Sequence, residues 1–283
     1  MIRLSDYAPD ISRNSEGIWY ANKAEPVSYP SEGNDQCFEI EGKSFWFQHR
    51  NACIIELVKK FPPLGKGPIF DVGGGNGFVA KGLLEAGWDV VLVEPGPTGA
   101  RNAKKRGLQN VICATTQSAG FKPGCMPAIG IFDVLEHIKD DAGFLSELHK
   151  IIRPGGILYV TVPALSVLWS HEDIHAGHFR RYNPKSLKQL VTGCGFKPIF
   201  ASYMFSLLPI SIFLFRTLPY LLGLRKGGLR WQSIKKDHAE KMGFLGVLIS
   251  GYLNMELAMI RKGTALKLGG SCLVVARGEK NKV

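Results

Sequence analysis

The sequence predicts an α/β protein with a doubly wound, mostly parallel sheet of seven strands. Three observations predict it. Short apolar runs alternate with helical patterns from about residue 68, a glycine-rich turn follows the first run, and acids stand at the ends of the first two. Such alternation produces parallel strands with helices on both faces. Ligands of these sheets gather at the carboxyl ends of the strands, near the topological switch.

Pro68 to Val72 reads as the first strand and Phe78 to Glu85 as a helix stopped by Gly87. Asp89 to Val93 is the second strand, followed by a helix near Gly99 to Arg106. Asn110 to Cys113 and Ala128 to Phe132 are the third and fourth strands. Apolar residues at 144, 145, 148, 151 and 152 give one buried face to a helix over Asp141 to Ile152. Pro154-Gly-Gly leads into Ile157 to Val162, a fifth strand rich in β-branched residues. Asn183 and Pro184 stand in the order of an N-cap and first helical position. That helix ends near Gly193, Lys197 to Tyr203 is the sixth strand, and Ser271 to Ala276 is the last.

A chain of 283 residues with 45% hydrophobic content suits one large domain with an embellishment. The six cysteines (37, 53, 113, 125, 194 and 272) include no CxxC pair, which predicts reduced thiols in a cytoplasmic protein. The opening MIRLSDYAPDISRNSEG has no apolar core, so no signal peptide is expected. A net charge of +11 favours an anionic partner.

The turn Phe70-Asp-Val-Gly-Gly-Gly-Asn-Gly77 narrows the ligand. The dinucleotide pattern G-x-G-x-x-G fails from Gly73, because position 78 is Phe78. From Gly75 it ends on Ala80, but the tight turn then falls four residues past Asp71. The register Asp71-x-Gly73-x-Gly75-x-Gly77 fits better. Alternate glycines let the backbone approach a small zwitterion, and Asp71 accepts from the ammonium of an amino-acid moiety, which NAD lacks. Glu94, at the end of the second strand, suits ribose hydroxyls in either ligand. The cofactor expected is S-adenosylmethionine.

The segment from about 66 to 200 resembles the class I S-adenosylmethionine-dependent methyltransferases, in the group of quinone-biosynthesis and sugar O-methyltransferases. The matching pieces are FDVGGGNG (70–77), VVLVEP (90–95), FDVLEHI (132–138), IRPGGILYVTVPA (152–164) and LWSHEDIHAGHFRRY (168–182). KSFWFQHRN (43–51) resembles the aromatic helix that covers the site in this group. The resemblance implies a Rossmann-like fold in which Asp71, Gly73, Gly75 and Gly77 line the cofactor. It implies that Glu94 takes the ribose, that Asp133 and Val134 flank the sulfonium, and that Pro95 and Arg50 join the cofactor set. Relatives place an acid for the adenine amine after the third strand. Here Cys113-Ala-Thr-Thr-Gln-Ser118 has none, which leaves Thr115 or Gln117 as neutral acceptors.

Methyl transfer is an in-line displacement, so positioning supplies much of the rate. A hydroxyl acceptor also gains about 10²–10⁴-fold from a base. His137, beside Glu136 after the fourth strand, is the first choice for that base; the alternative is that the pair only caps the next helix. His171, His175 and His178 resemble a metal set, but Gly177 and the place after the fifth strand favour a loop. That loop reads as an acceptor lid with His178 and Arg181 near substrate, Arg180 or Tyr182 structural, and no metal.

Residues 205–268 separate the last two strands, far more than a usual connection. They contain FSLLPISIFLFRTLPYLLGL (205–224) and FLGVLISGYLNMELAMI (244–260), and their ten basic and three acidic residues carry +7 of the net +11. Neither run supplies the roughly 20 uninterrupted apolar residues of a spanning helix. A hairpin dipping into one leaflet, its basic flanks on anionic lipid, fits better; a substrate lid or a dimer interface are alternatives. Nucleic acid explains the charge but not the apolar runs. The domains are thus 1–65, an N-terminal segment with the covering helix; 66–204, the cofactor-binding core; 205–268, the insertion; and 269–283, the final strand and tail. The expected protein methylates a hydroxyl of a small-molecule, glycan or lipid-linked acceptor (sugar or quinone-like), peripherally on the inner face of a membrane. An RNA methyltransferase and a non-catalytic cofactor-binding scaffold are the alternatives.

Overall fold

The computed structural model describes residues 2–22, 31–65, 67–224 and 243–280. Its nine strands form one sheet: β1 (Ile11–Arg13), β2 (Trp19–Ala21), β3 (Ile69–Val72), β4 (Val90–Val93), β5 (Val111–Cys113), β6 (Met126–Phe132), β7 (Ile152–Pro163), β8 (Phe196–Met204) and β9 (Ser271–Gly278). The spatial order is β1-β2-β5-β4-β3-β6-β7-β9-β8. Strands β5, β4, β3, β6 and β7 run parallel, and β9 runs antiparallel between β7 and β8.

The sheet therefore has nine strands, not the expected seven. The two extra strands are three residues each and form a hairpin whose second arm adds in parallel to β5, Trp19 opposite Ile112. Its turn is held by the Asn14 side chain, which accepts from the Ile18 N–H at 2.9 Å. Strands this short carry no readable alternation; the open edge of β5 decides their pairing.

Every residue of the central strands is buried, successive side chains entering opposite cores, as they must when both faces are covered. Phe70, Val72, Val91 and Val93 belong to one core, and Ile69, Val90 and Leu92 to the other. In chain order the covering helices are α1 (Ser31–Glu41), α2 (Phe45–Lys60), α3 (Phe78–Glu85), α4 (Pro97–Lys105), α5 (Asp141–Ile151), α6 (His171–Ala176) and α7 (Pro184–Gly193). The chain winds from β3 to β4 on one side and reaches β6 on the other. The carboxyl ends of β3, β4 and β6 thus open on one crevice.

The two apolar runs of the insertion have different fates. The second forms the helix Gly243–Lys262, which packs on α2 through buried Ile260 with Leu253 and Leu257. It is a cap on the core, which corrects the expectation of a hairpin that dips as a unit. The first forms Leu208–Ile212, a π-helical stretch Phe213–Thr217, and Leu218–Leu221. Pro219 lacks the N–H that an α-helical ladder needs there. This run stays open: Ile210 is 66%, Phe215 69% and Leu224 73% exposed. Among the described residues no helix is long and apolar enough to cross a membrane. Arg225, Lys226, Arg230, Lys235, Lys236 and Lys241, part of the expected basic flank, lie outside the described residues.

One carboxylate locks the cap to the sheet. Glu256 is buried and accepts from the N–H groups of Phe205 (2.6 Å) and Ser206 (2.9 Å) and from the Ser206 hydroxyl (2.7 Å). His49 Nε2 on α2 lies 3.0 Å away. Burial pushes the Glu256 carboxyl up, but these bonds outweigh it and hold the group below its ordinary range. They also hold Phe205 at φ 61°, a region that costs a non-glycine residue about 1–3 kcal/mol. Glu256→Gln turns amide hydrogens toward these donors, so it should cost about 1–3 kcal/mol. Urea unfolding with an unchanged midpoint would show that the lock carries no stability.

Candidate functional site

The loop after β3 turns through three left-handed glycines, with φ of 72° at Gly73, 53° at Gly75 and 74° at Gly77. At Gly73 a Cβ would fall 2.8 Å from Val134 Cγ2, so a side chain would push the floor of the crevice aside. Asp71, at the strand end, is fully buried, and neither carboxylate oxygen has a hydrogen-bond partner among the described residues. Burial raises its pKa to about 7, against the pull of Arg50. A buried carboxyl of this kind either keeps its proton or meets a cation. The ammonium of an amino-acid moiety fits that need.

Glu94 caps the same loop from β4. Its two oxygens accept from Gly75 N–H at 2.9 Å and Gly96 N–H at 2.7 Å. Each oxygen keeps a further lone pair for a ribose hydroxyl. Burial raises its pKa while the Gly96 and Gly75 bonds lower it.

The crevice is two adjoining cavities. One, of about 400 Å³, is lined by Asp71, Gly73, Gly75, Glu94, Pro95, Asp133, Val134, Glu136, His137, His178 and Arg50, among others. The second, of about 350 Å³, holds Thr115 and Gln117 and shares Gly73, Pro95 and Val134 with the first. Thr115 exchanges its hydroxyl with Ser118 at 3.0 Å, and the Gln117 amide donates to Glu147. Glu147, from α5, thus brings a carboxylate into a pocket whose own loop has none. Thirty residues separate it from Gln117, and no local pattern links the two. Gly77 stands behind the loop, where it packs on Ala103 and Leu108.

Asp133 follows β6 with φ 56°. It pairs with Arg50 of α2 through one oxygen, and Thr161 donates to the other at 3.1 Å. The guanidinium lies 5.0 Å from the Trp46 ring centre, and Trp46 stacks on Phe205 at 5.6 Å. Arg50 thereby ties the covering helix to both the sheet and the insertion.

Glu136, His137 and His178 come together in the first cavity, with ligand-capable atoms of all three within 4.8 Å of one another. The rings of His137 and His178 meet edge to face at 4.8 Å. Desolvation and the neighbouring His178 push the His137 pKa down to about 4. The ring is therefore uncharged at neutral pH, the form in which an imidazole accepts a proton. His178 is oriented: its Nδ1 lies 2.9 Å from Asp173 Oδ1. Burial pushes Asp173 up, but bonds from His178 and Arg181 dominate and hold it below its ordinary range.

The expected lid loop is in part the short helix α6, closed by Gly177 at φ 75°. Arg181 turns inward, clamping Asp173 at 2.7 and 3.0 Å, and so does not face an acceptor. Arg180 and Tyr182 both bind Asp141, each at 2.8 Å. His171 packs on Tyr220 at 4.7 Å and His175 is exposed, so the three histidines of this stretch do not converge. Sequence reasoning also missed Asp173 as the group that orients His178, although its spacing of five residues is compatible with one helical turn and its cap.

A family model described as a methyltransferase domain matches residues 46–199. The chain belongs to that family. By that match and by its fold it is a class I S-adenosylmethionine-dependent methyltransferase, and its cofactor is S-adenosylmethionine. The chain is 26% identical to a ubiquinone biosynthesis O-methyltransferase of Xylella fastidiosa (strain 9a5c), over 39% of this chain and 48% of that protein. It is 23% identical to an S-adenosylmethionine-dependent methyltransferase of Mycobacterium tuberculosis (strain ATCC 25618 / H37Rv), over 67% of this chain and 70% of that one. The chain thus spans about half the length of the Xylella relative. Phosphoethanolamine N-methyltransferase 2 of Haemonchus contortus, solved with S-adenosyl-L-methionine, superposes with a TM-score of 0.55 at 17% identity, covering 90% of this chain and 58% of that one. That likeness shows the fold.

Asp71 makes cofactor binding pH-dependent. The ammonium prefers the ionised carboxylate, so affinity should rise with pH and level off above the empty-site pKa of about 7. S-adenosylhomocysteine should bind about tenfold more weakly at pH 6 than at pH 8. Calorimetry at the two pH values checks this, and a flat profile would show that Asp71 does not meet the ammonium.

Proposed function

We propose that this protein transfers a methyl group from S-adenosylmethionine to a hydroxyl of an amphiphilic acceptor, sugar or quinone-like, drawn from a lipid surface. The convergence of Glu136, His137 and His178 on the cofactor cavity carries the oxygen assignment. An amine needs little more than positioning and loss of a proton, whereas a hydroxyl is a poor nucleophile until its proton is withdrawn. A cluster of two imidazoles and a buried carboxylate is the equipment for the harder case. The name of the Xylella relative supports the same choice.

The lipid surface is supported by the open apolar face of 208–224. Large exposed patches of this kind mark interaction sites. Phe205 joins that run to Trp46, which lines the cavity, so a partner held by the apolar face lies close to the acceptor end. Arg261, Lys262 and Lys267 follow the capping helix and supply part of the attraction to anionic headgroups, at about 1 kcal/mol each.

His178→Ala should lower turnover by about 10²-fold or more while changing S-adenosylhomocysteine affinity little. Labelled methyl transfer into fractionated cell lipids, glycans and RNA provides the assay. Label confined to RNA, or to amines, would overturn the proposal.

Flotation tests the surface. Full-length protein should rise with anionic vesicles, and Phe215→Ser with Leu221→Ser should abolish this without loss of cofactor binding. High salt alone should release little, since it screens only the charge. Protein that ignores the vesicles would make the apolar face a contact between proteins.

A further inference from the structure

We infer that Glu147, on α5, accepts from the adenine amine of S-adenosylmethionine, and that Gln117 donates to the ring nitrogen beside that amine. This role concerns the cofactor and does not depend on which acceptor is methylated. With the ammonium at Asp71 and the ribose at Glu94, both in the first cavity, the base falls to the second. That cavity has the walls a flat ring needs, since Val93, Pro95, Ala114, Ile138 and Phe144 line it. The polar side chains that line it are Thr115, Thr116, Gln117, Asp140 and Glu147, and the edge of the base must be met among them.

The loop after β5 has no acid, and its neutral acceptors are largely spent. Thr115 and Ser118 close a turn on each other. The Thr115 hydroxyl donates to Ser118 Oγ at 3.0 Å and accepts from the Ser118 N–H at 3.0 Å. The Gln117 carbonyl oxygen accepts from the Thr116 hydroxyl at 3.1 Å, so Gln117 turns its amide hydrogens toward Glu147. Asp140, the other carboxylate of this cavity, caps α5 by accepting from the Gly143 N–H at 2.9 Å, and both its oxygens lie close over Gly143. A carboxylate has about four lone-pair sites, and among the described residues Glu147 is bonded to Gln117 alone.

The pair has the polarity of adenine. That base presents a donor, its amine, next to an acceptor, N1. Glu147 is the matching acceptor, and the Gln117 amide keeps one of its two hydrogens as the matching donor. Hypoxanthine reverses the pattern, with a carbonyl oxygen in place of the amine and a hydrogen on N1. The carboxylate would then face an acceptor, and the amide would face another donor. An ionised acceptor also makes the bond to adenine roughly twice as strong as a neutral one. The contact that the loop after β5 lacks is supplied by a helix on the far side of the pocket.

The test is calorimetry on full-length protein with S-adenosylhomocysteine and its deaminated analogue, S-inosylhomocysteine. The wild type should bind the adenine compound about tenfold or more tightly. Glu147→Ala should weaken S-adenosylhomocysteine by about tenfold or more and leave S-inosylhomocysteine as it was or tighter, so that the preference collapses. Glu147→Gln, which can still offer a carbonyl oxygen, should keep part of the preference. Glu147 is half-buried and lies outside the buried pair Leu145 and Leu148 of α5, so neither change opens the core. A purely structural role would weaken the two compounds alike. Equal losses in Glu147→Ala, or a wild type without preference, would therefore overturn the assignment. A preference that survives Glu147→Ala and is lost in Asp140→Asn would also overturn it, by giving the amine to the cap residue.

Discussion

Arg50 lines a cavity that it shares with five carboxylates among the described residues, and much of the site depends on it. Arg50 pairs with Asp133 and opposes the burial that raises the pKa values of Glu41, Asp71 and Glu136, with Arg106 the stronger pull on Glu41. Burial works against all three, and Asp133 raises Glu136 further. A cavity with this imbalance favours positive guests such as an ammonium or a sulfonium. It also dictates where α2 must lie, because Arg50 reaches Asp133 only from a helix laid across the strand ends. The helix is secured beyond the site by Tyr159, whose hydroxyl donates to the Phe61 carbonyl at 2.6 Å.

The insertion shares that anchor. Glu256 binds His49 of α2 and the backbone of Phe205 and Ser206, so the end of β8, the covering helix and the cap move together. This explains how two runs of similar composition diverge. The run that contains Glu256 is drawn onto α2, where its apolar side meets Ile54 and Leu57. The run that contains Phe215 has no such carboxylate and lies outside, with its apolar side chains uncovered.

Fold likeness at 17% identity leaves the chemistry to the site. The cofactor half is decided by groups with unmet hydrogen-bonding capacity, Asp71 above all. Beside it stands a layered support in which Arg181 holds Asp173, Asp173 holds His178, and His178 meets His137. Each layer removes freedom from the next, which is how the stretch after β7 presents a fixed imidazole.

The sequence by itself determined the central strands, the helix over 78–85, the glycine register and the roles open to Asp71 and Glu94. These are local: a short apolar run, a glycine-rich turn and an acid at a strand end are written in consecutive residues. The cofactor followed because an unpaired acid beside alternate glycines has few partners. The β1–β2 hairpin was not legible, since strands of three residues borrow their stability from the edge of β5. Nor was the carboxylate that Glu147 brings to Gln117, or the inward turn of Arg181, or the opposite fates of the two apolar runs. Only tertiary structure decided these, because each depends on a neighbour far along the chain, as His49 and Glu256 meet across 207 residues. Periodicity records which face a residue turns to the core, and it holds no record of what waits there.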